Sequence, residues 1–383
     1  MPSSQRRPIT VFTPSYAEAA NTNAQNLTVK EIVARLPEEF HVTMFCQGEP
    51  DPRLKARKHT RFFQWSAHGN TIRLLRYCLL PPPDIYFFPR AGPLDRVFLD
   101  LKKRLRLKTA LVTYIVTCMN NKTATGLVAR SIQEGDIVFG NSTHVSETVR
   151  QVCGVQAATI YDGIDRRYYF PPAVKPERQI PTVLFAGSFR PYKRAEIVIR
   201  EAGRLPQVNF RLAGKGETEQ HCRQLARQLG CSNITFLGHL SSAALGEEMR
   251  NADVFLFPSI VEGNPQVLLQ ASACGLPSIA MDLYRSDYVI NGKTGLWVVS
   301  GAELSAALDH LLADANLRRS LGAEAADHAL RFSWDEIACQ WASVFRRSVE
   351  QRQTWRRQDL NKGLQRDREG IVLQGISQMI DQK

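Results

Sequence analysis

One acidic side chain stands directly beyond an apolar run that has the length of a core strand. The run is Val254–Phe257, which is typical of a strand buried in a parallel sheet, and Glu262 lies in the loop that follows it. Asn264 and Pro265 are residue types preferred at the N-cap and the first position of a helix, so the pattern predicts a helix from Val267. The free N–H groups and positive end of that helix would face the space beside Glu262, which predicts an anion site. The alternative is an ordinary strand-to-helix turn that carries a surface glutamate.

The stretch around this glutamate carries a family resemblance. Residues 258–280, PSIVEGNPQVLLQASACGLPSIA, resemble the signature PSxxEGxPxxxLEAxAxGxPVIA of the retaining GT-B glycosyltransferases of group 1, family 4-like. The resemblance implies that Glu262, the first acid of a Glu-x7-Glu pair, touches the sugar that is transferred. Gln270 stands in place of the second acid, which in the family holds the ribose of the nucleotide. Glutamine has no charge with which to hold ribose hydroxyls strongly, so the modified motif predicts an altered donor affinity or donor identity.

Basic residues follow another predicted strand, Thr182–Ala186, in the turn GSFRPYKR. The resembling enzymes read GRLxxxKG here, and their Arg and Lys bind the donor diphosphate. Lys193 matches that Lys, Ser188 stands at the Arg position, and Arg190 is a candidate for the same phosphates. Fixed cations suit this role because negative charge develops on a departing nucleoside diphosphate. The resemblance therefore assigns Glu262, Lys193 and Arg190 to catalysis, and the alternative is that the two basic residues are merely solvated.

Two glycine-containing loops leave further predicted strands, GKGE (214–217) after Phe210–Ala213 and GHL (238–240) after Ile234–Leu237. In the resembling enzymes these loops approach the diphosphate and the base. Ligands of parallel sheets bind off the carboxyl ends of the strands, so these loops are expected to converge on one crevice. The donor contacts that the resemblance implies are Gly187, Gly214, Lys215, His239, Leu240, Gly263, Asn264, Pro265 and Gln270.

Strands and helices alternate along the chain, which predicts an α/β fold with parallel sheets covered on both faces. The resemblance implies GT-B: two Rossmann-like doubly wound domains facing a cleft, with the acceptor bound by the first and the nucleotide by the second. The loop after the first strand lacks GxGxxG, which disfavours a nicotinamide or flavin enzyme, and Ala20–Asn23 replace the family's Gly-Gly. The predicted parts are an acceptor-binding domain (1–170), a proline-rich linker (171–181), a donor-binding domain (182–333), a helix that crosses back to the first domain (334–350) and a tail (351–383).

The net charge of +12 is concentrated in one region. Between Arg53 and Lys108 stand 14 Lys and Arg against three acids, which predicts attraction for anionic lipid, a phosphorylated acceptor or nucleic acid. Within 96–108, helical spacing is followed by Val97, Phe98, Leu101, Leu105 and Lys108, and the remaining face carries Lys102, Lys103, Arg104 and Arg106. This pattern is that of a helix that lies on an anionic membrane surface. The alternative is a core-packing helix with a solvated face. Nucleic acid is disfavoured because the chain has no nucleic-acid motif.

Several absences narrow the class of protein. No run reaches the roughly 18 apolar residues of a membrane span, and the first residues lack the apolar core of a secretory signal. A cytoplasmic location is therefore expected, and peripheral contact at the inner face of the membrane is the alternative. The eight Cys include no CxxC pair, which argues against a zinc site or a disulfide framework. No Asp-x-Asp occurs, so a metal-bound diphosphate is not indicated, and no cofactor besides the donor substrate is expected. Tyr114 aligns with a His that the family often has, so no catalytic His is assigned.

The function predicted from these observations and the resemblance is transfer of a hexose-type sugar from a nucleoside-diphosphate sugar to a lipid-linked, saccharide or anionic acceptor. The resemblance implies that the transfer retains configuration. Two alternatives stay open. One is a nucleotide-sugar-binding protein of weak or partner-dependent activity, given the departures at Gln270 and Ser188. The other is an epimerase-like sugar-nucleotide enzyme.

Overall fold

The computed structural model describes residues 7–19, 24–64, 81–88, 92–174 and 179–359. These residues pack into two compact units. One unit contains the described residues up to Asp162 together with those from Trp334 onward, and the other is Gly163–Ser333. The division falls upstream of the predicted linker, of which 175–178 lie outside the described residues. Ala20–Asn23 and the end of the tail, 360–383, also lie outside them.

The first unit is built on one parallel sheet. Its strands are β1 (Ile9–Tyr16), β2 (Phe40–Cys46), β3 (Thr60–Gln64), β4 (Ile85–Phe87), β5 (Ala110–Ile115), β6 (Ile137–Gly140) and β7 (Ala158–Thr159). Among the described residues the order is β3-β2-β1-β4-β5-β6-β7, and every neighbouring pair is parallel. Its helices are α1 (Ala24–Arg35), α2 (Pro52–Ala56), α3 (Pro93–Arg104), α4 (Gly126–Gln133), α5 (Thr143–Cys153) and, from the end of the chain, α12 (Trp334–Asp359).

Helix α12 completes the core of this unit. Trp341 is fully buried, and its ring centroid lies 4.8 Å from that of Phe87, 5.0 Å from that of Tyr114 and 5.2 Å from that of Phe139. Tilted and edge-to-face aromatic packing of this kind adds stability beyond the area that it buries. The last helix is therefore a core element of the first unit, and it extends beyond residue 350, where the predicted helix ends.

The basic segment 96–108 forms a shorter helix than its pattern predicts. Helix α3 ends before Leu105, and Arg106 has a φ of 51°, in the left-handed region where a right-handed helix does not continue. Phe98 is buried and stacks on Tyr86 with 4.0 Å between ring centroids, whereas Leu105 is 57% exposed. The prediction that Leu105 belongs to the apolar face of this helix is therefore wrong, because the chain turns toward β5 there.

The second unit is also built on a parallel sheet. Its strands are β8 (Thr182–Ala186), β9 (Asn209–Ala213), β10 (Ile234–Gly238), β11 (Val254–Phe257), β12 (Ser278–Met281) and β13 (Gly295–Val298). In this fully described part of the sheet the order is β10-β9-β8-β11-β12-β13. Its helices are α6 (Ala195–Arg204), α7 (Glu219–Gln228), α8 (Ser242–Asn251), α9 (Gln266–Ala273), α10 (Gly301–Ala313) and α11 (Ala315–Ala329), and a 3-10 turn spans Pro191–Lys193.

The predicted α/β class with parallel sheets is confirmed. The bounds of β8 and β11 are those that the apolar runs predict, and both strands are buried along their whole length. The sequence pattern does not single out β3, β12 or β13. Strands β3 and β13 lie at the edges of their sheets, and β12 is a four-residue strand that begins with a polar serine. No helix among the described residues is long and apolar enough to span a bilayer.

Candidate functional site

The candidate site lies at the carboxyl ends of β8 and β11. These strands are parallel neighbours, with Phe255 aligned with Leu184. The order of the sheet reverses at this point, since β9 and β10 lie beyond β8, and β12 and β13 lie beyond β11. Loops that leave the two strands at such a switch point diverge and open a crevice. Because β8 and β11 are neighbours, loop 187–194 and loop 258–265 leave the sheet side by side and border that crevice.

Lys193 and Glu262 form an ion pair at this crevice, although they stand 69 residues apart in the chain. Lys193 Nζ contacts Glu262 Oε1, and the two side chains are 13% and 12% exposed. The Ser259 hydroxyl donates a hydrogen bond to the same carboxylate oxygen, with 2.5 Å between the two oxygens. Because both charged groups are largely withdrawn from water, solvent and salt screen their attraction less than they would at an exposed surface. The structure thus brings together two of the three residues that the resemblance assigns to catalysis.

Aromatic rings and backbone contacts hold this ion pair in place. Lys193 Nζ lies 5.0 Å from the ring centroid of Phe257 and 5.6 Å from that of Tyr192, within the range of cation–π attraction. The backbone N–H of Ile260 donates to the carbonyl oxygen of Tyr192 at 2.9 Å. The glutamate loop is therefore tied to the 3-10 turn that carries the lysine.

Tyr284, in the loop after β12, packs against the aromatic ring that lies under the Lys193 ammonium. Its side chain is 1% exposed, and its ring meets that of Phe257 edge-on at 6.4 Å between centroids. Burial, and then the negative charge of Glu262, raise the pKa of the Tyr284 phenol well above its ordinary value. The phenol is therefore a neutral group that lies within the electrostatic reach of the carboxylate.

The helix beside Glu262 begins at Gln266, between the predicted first helical position at Pro265 and the predicted start at Val267. Pro265 is the N-cap, with φ −69° and ψ 111°, and α9 starts at Gln266. Asn264 is buried, and its Oδ1 accepts a hydrogen bond of 2.5 Å from the Ser286 hydroxyl. The predicted N-cap at Asn264 and first helical position at Pro265 are wrong, because the extended backbone of Pro265 stands outside the helix and the Asn264 side chain binds the loop after β12.

Backbone hydrogen bonds join the carboxyl ends of β8, β9 and β10 at this edge of the sheet. The N–H of Gly214 donates to the carbonyl oxygen of Gly238 at 2.7 Å, and the N–H of Gly187 donates to the carbonyl oxygen of Ala213 at 3.0 Å. Gly214 has a φ of +134°, and a Cβ there would lie 1.9 Å from the carbonyl oxygen of Gly187. Only glycine fits this approach, so Gly187 and Gly214 hold the loops after β8 and β9 together.

The remaining predicted donor contacts differ in exposure. Arg190, Lys215 and His239 are exposed. Gly263, Leu240 and Gln270 are partly buried. In the described part of the chain the Arg190 guanidinium makes no ion pair, so the structure does not bring Arg190 into the contact between Lys193 and Glu262. The three exposed side chains lie on loops that leave the strands of this sheet.

Tyr114 belongs to a different, buried network in the first unit. Its hydroxyl lies 2.9 Å from the carbonyl oxygen of Ile160 and 3.0 Å from Asp162 Oδ1. The Asp162 carboxylate also accepts hydrogen bonds from Thr28 Oγ1 at 3.1 Å and Asn141 Nδ2 at 3.0 Å. Since all four side chains are buried, these contacts join helix α1 to the ends of strands within the core.

Two residues near Glu262, Ser259 and Tyr284, are not predicted from the sequence. Ser259 stands inside the motif, so it is visible in the sequence, but its contact with Glu262 requires a loop that turns back on itself. Tyr284 carries no local signal at all, because its position beside Glu262 depends on the adjacency of β11 and β12.

Comparisons with known proteins place this site in a recognised segment. Residues 170–328 match the family model described as glycosyl transferases group 1. The chain is similar to D-inositol 3-phosphate glycosyltransferase 2 of Catenulispora acidiphila, at 27% identity over 61% of this chain and 61% of the relative. It is similar to D-inositol 3-phosphate glycosyltransferase of Mycobacterium bovis BCG Pasteur, at 30% identity over 57% of this chain and 50% of the relative. The chain thus spans between half and about three-fifths of the length of these relatives.

Solved structures share the fold. Sucrose-phosphate synthase from Thermosynechococcus elongatus is 20% identical, with a TM-score of 0.74 over 89% of this chain and 99% of that one. HepE from Anabaena in complex with UDP is 16% identical, with a TM-score of 0.71 over 88% of this chain and 99% of that one. The two parallel sheets with their helices have the GT-B glycosyltransferase fold.

Proposed function

We propose that the chain is a glycosyltransferase that moves a hexose-type sugar from a nucleoside-diphosphate sugar to an acceptor. The observation that carries the proposal is the contact between Lys193 and Glu262 at the switch point of the second sheet. A departing diphosphate needs a fixed cation and a hexose presents hydroxyls to a carboxylate, so this pair offers one group to each part of such a donor. Both residues lie inside the segment that matches the glycosyl transferases group 1 model, which supports the proposal.

The donor is proposed to bind with its diphosphate against Lys193 and the start of α9. The first turn of that helix has N–H groups without partners inside the helix, and such groups bind phosphate. Arg190 adds an exposed cation on the same loop as Lys193, and Gln270, one turn along α9, is proposed to contact the ribose. Because HepE, which shares the fold, is described in complex with UDP, uridine is the first base to test.

In the proposed reaction the bond between the anomeric carbon and the diphosphate oxygen breaks, and its electron pair leaves with the nucleoside diphosphate. The acceptor oxygen bonds to the same carbon on the face from which the phosphate departs, which retains the configuration, and the acceptor proton passes to the departing phosphate. Lys193 stabilises the charge that develops on the leaving group, while Glu262 holds a sugar hydroxyl and orients the donor. This assignment of roles requires no metal ion.

The acceptor is proposed to be anionic or lipid-linked and to be bound by the first unit. Helix α3 and the residues after it expose Lys103, Arg104, Arg106 and Lys108. Lys102 is instead held in an ion pair of 2.6 Å. Each exposed cation near an anionic surface contributes about 1 kcal/mol of attraction. The relatives' names contain inositol 3-phosphate, which supports an anionic acceptor. The enzyme is further proposed to work in the cytoplasm or at the inner face of the membrane.

The test is a transfer assay with the purified full chain. UDP-, GDP- and ADP-linked hexoses are each incubated with inositol phosphates, with a lipid extract, with phosphatidylglycerol vesicles and with no acceptor. We expect a labelled product from one donor that depends on an acceptor, a loss of at least about tenfold in Glu262→Gln, and an unchanged rate in Glu248→Gln, whose carboxylate pairs with Arg211 at 2.5 Å outside the site.

Two outcomes would overturn the proposal. Nucleotide-sugar binding without turnover on any acceptor would indicate a binding protein of weak or partner-dependent activity. Conversion of the sugar without an acceptor would indicate an epimerase-like enzyme.

A further inference from the structure

The two charged side chains assigned to different parts of the donor contact each other in the donor-free chain. Lys193, assigned to the diphosphate, pairs with Glu262, assigned to the sugar, and each side chain is about one-eighth exposed. A diphosphate that recruits the ammonium competes with the carboxylate for it. The affinity for a diphosphate therefore depends on whether Glu262 gains other hydrogen-bond donors when the ammonium leaves it.

We infer that Glu262 makes the site select the nucleoside-diphosphate sugar over the free nucleoside diphosphate. This inference rests on the proposed function. A free nucleoside diphosphate draws Lys193 away and leaves a largely buried carboxylate without its cation, which is unfavourable. The complete donor brings sugar hydroxyls that donate to Glu262 as the ammonium turns to the phosphates, so the carboxylate keeps hydrogen-bond donors. The loss of the cation therefore weakens binding of the nucleoside diphosphate, which is the product, and does not weaken binding of the complete donor.

The Ser259 hydroxyl also contacts Glu262, and it lacks the charge of the ammonium. A neutral hydroxyl replaces only part of the attraction of a cation. Phe257 lies under the ammonium and offers the carboxylate no donor. The negative charge of Glu262 also acts on its neighbours. The pKa of Tyr284 is raised first by burial and then by this charge.

The experiment is a double-mutant cycle on nucleotide binding, measured by calorimetry with the full chain. UDP, GDP and ADP are titrated into the wild type, Glu262→Gln, Lys193→Met and the double variant. We expect Glu262→Gln to bind its nucleoside diphosphate roughly 5- to 10-fold more tightly than the wild type, and Lys193→Met to bind it more weakly. In the Lys193→Met background, the change at Glu262 is expected to alter affinity by less than about twofold, because the competition is gone.

Two results would overturn the inference. Equal or weaker binding by Glu262→Gln would mean that Lys193 bridges the carboxylate and the phosphate without competition. The same tightening in both backgrounds would mean that Glu262 acts by repulsion through space and not through Lys193. Glu248→Gln is the matched control, for which unchanged affinity is expected, and thermal melting verifies that each variant is folded.

The transfer assay separates this inference from the function on which it rests. A wild type that transfers sugar while Glu262→Gln shows no tightening leaves the function standing and refutes the selection by Glu262. A wild type that binds none of the three nucleotides refutes both. Titration with the matching sugar nucleotide completes the test, since the preference for donor over nucleoside diphosphate should shrink in Glu262→Gln and stay unchanged in Glu248→Gln.

Discussion

Replacing Lys193 with methionine removes the ammonium and keeps a side chain of similar length. In a preorganised site, one lost contact to a developing negative charge costs about 3–4 kcal/mol, or roughly 10²- to 10³-fold in turnover. The Lys193 side chain keeps 13% exposure, so water screens part of its contact and we expect the lower end of that range, about 10²-fold. The same change leaves Glu262 without its cation, which should cost about 1–2 kcal/mol of folding stability, less than for a fully buried pair.

The assay measures kcat and KM for the donor at saturating acceptor, together with thermal melting of the same preparations. Lys293→Met is the matched control, because Lys293 pairs with Glu324 at 3.4 Å with both side chains about half exposed or more, and we expect neither turnover nor stability to change. A folded Lys193→Met enzyme with kcat within twofold of the wild type would remove the lysine from the reaction. A loss confined to KM would place it in ground-state binding only.

Other perturbations test separate parts of the structure. Gly214→Ala should destabilise the second unit by more than about 3 kcal/mol, because its Cβ would lie 1.9 Å from the carbonyl oxygen of Gly187, and an unchanged melting temperature would contradict that close approach. Gln270→Glu should tighten donor binding about fivefold in titrations if this side chain meets the ribose, since a carboxylate accepts hydroxyl hydrogen bonds more strongly than an amide, whereas equal affinity would exclude that contact. Burial and neighbouring positive groups hold the pKa of His41 below its ordinary 6.5, so stability should fall as pH drops through and below 6.5, and His41→Gln should flatten that part of the melting profile; parallel profiles would rule out His41 as the cause. Lys103→Glu should weaken binding to phosphatidylglycerol vesicles at low salt, and equal binding would show that α3 makes no contact with lipid.

The strands that position the site are readable in the amino-acid order alone. Val254–Phe257 and Thr182–Ala186 are short apolar runs between turn residues, and both become buried strands with the bounds that the runs predict. A strand that is buried on both faces of a parallel sheet needs a continuous apolar run, so the position of such a strand can be predicted from neighbouring residues in the sequence. The positions of Glu262 and Lys193 just beyond these runs follow from the same pattern.

The contacts between those loops depend on the tertiary structure and are not predicted by the sequence pattern. Lys193 meets Glu262 across 69 residues only because β8 and β11 are neighbours, and strand order is set by long-range packing that periodicity does not encode. The inward turn of Tyr284, the hydrogen bond from Ser286 to Asn264 and the end of α3 before Leu105 depend on the same kind of distant packing partners. Local chemistry therefore specifies which residues are available, and the packing of the sheet decides which of them touch.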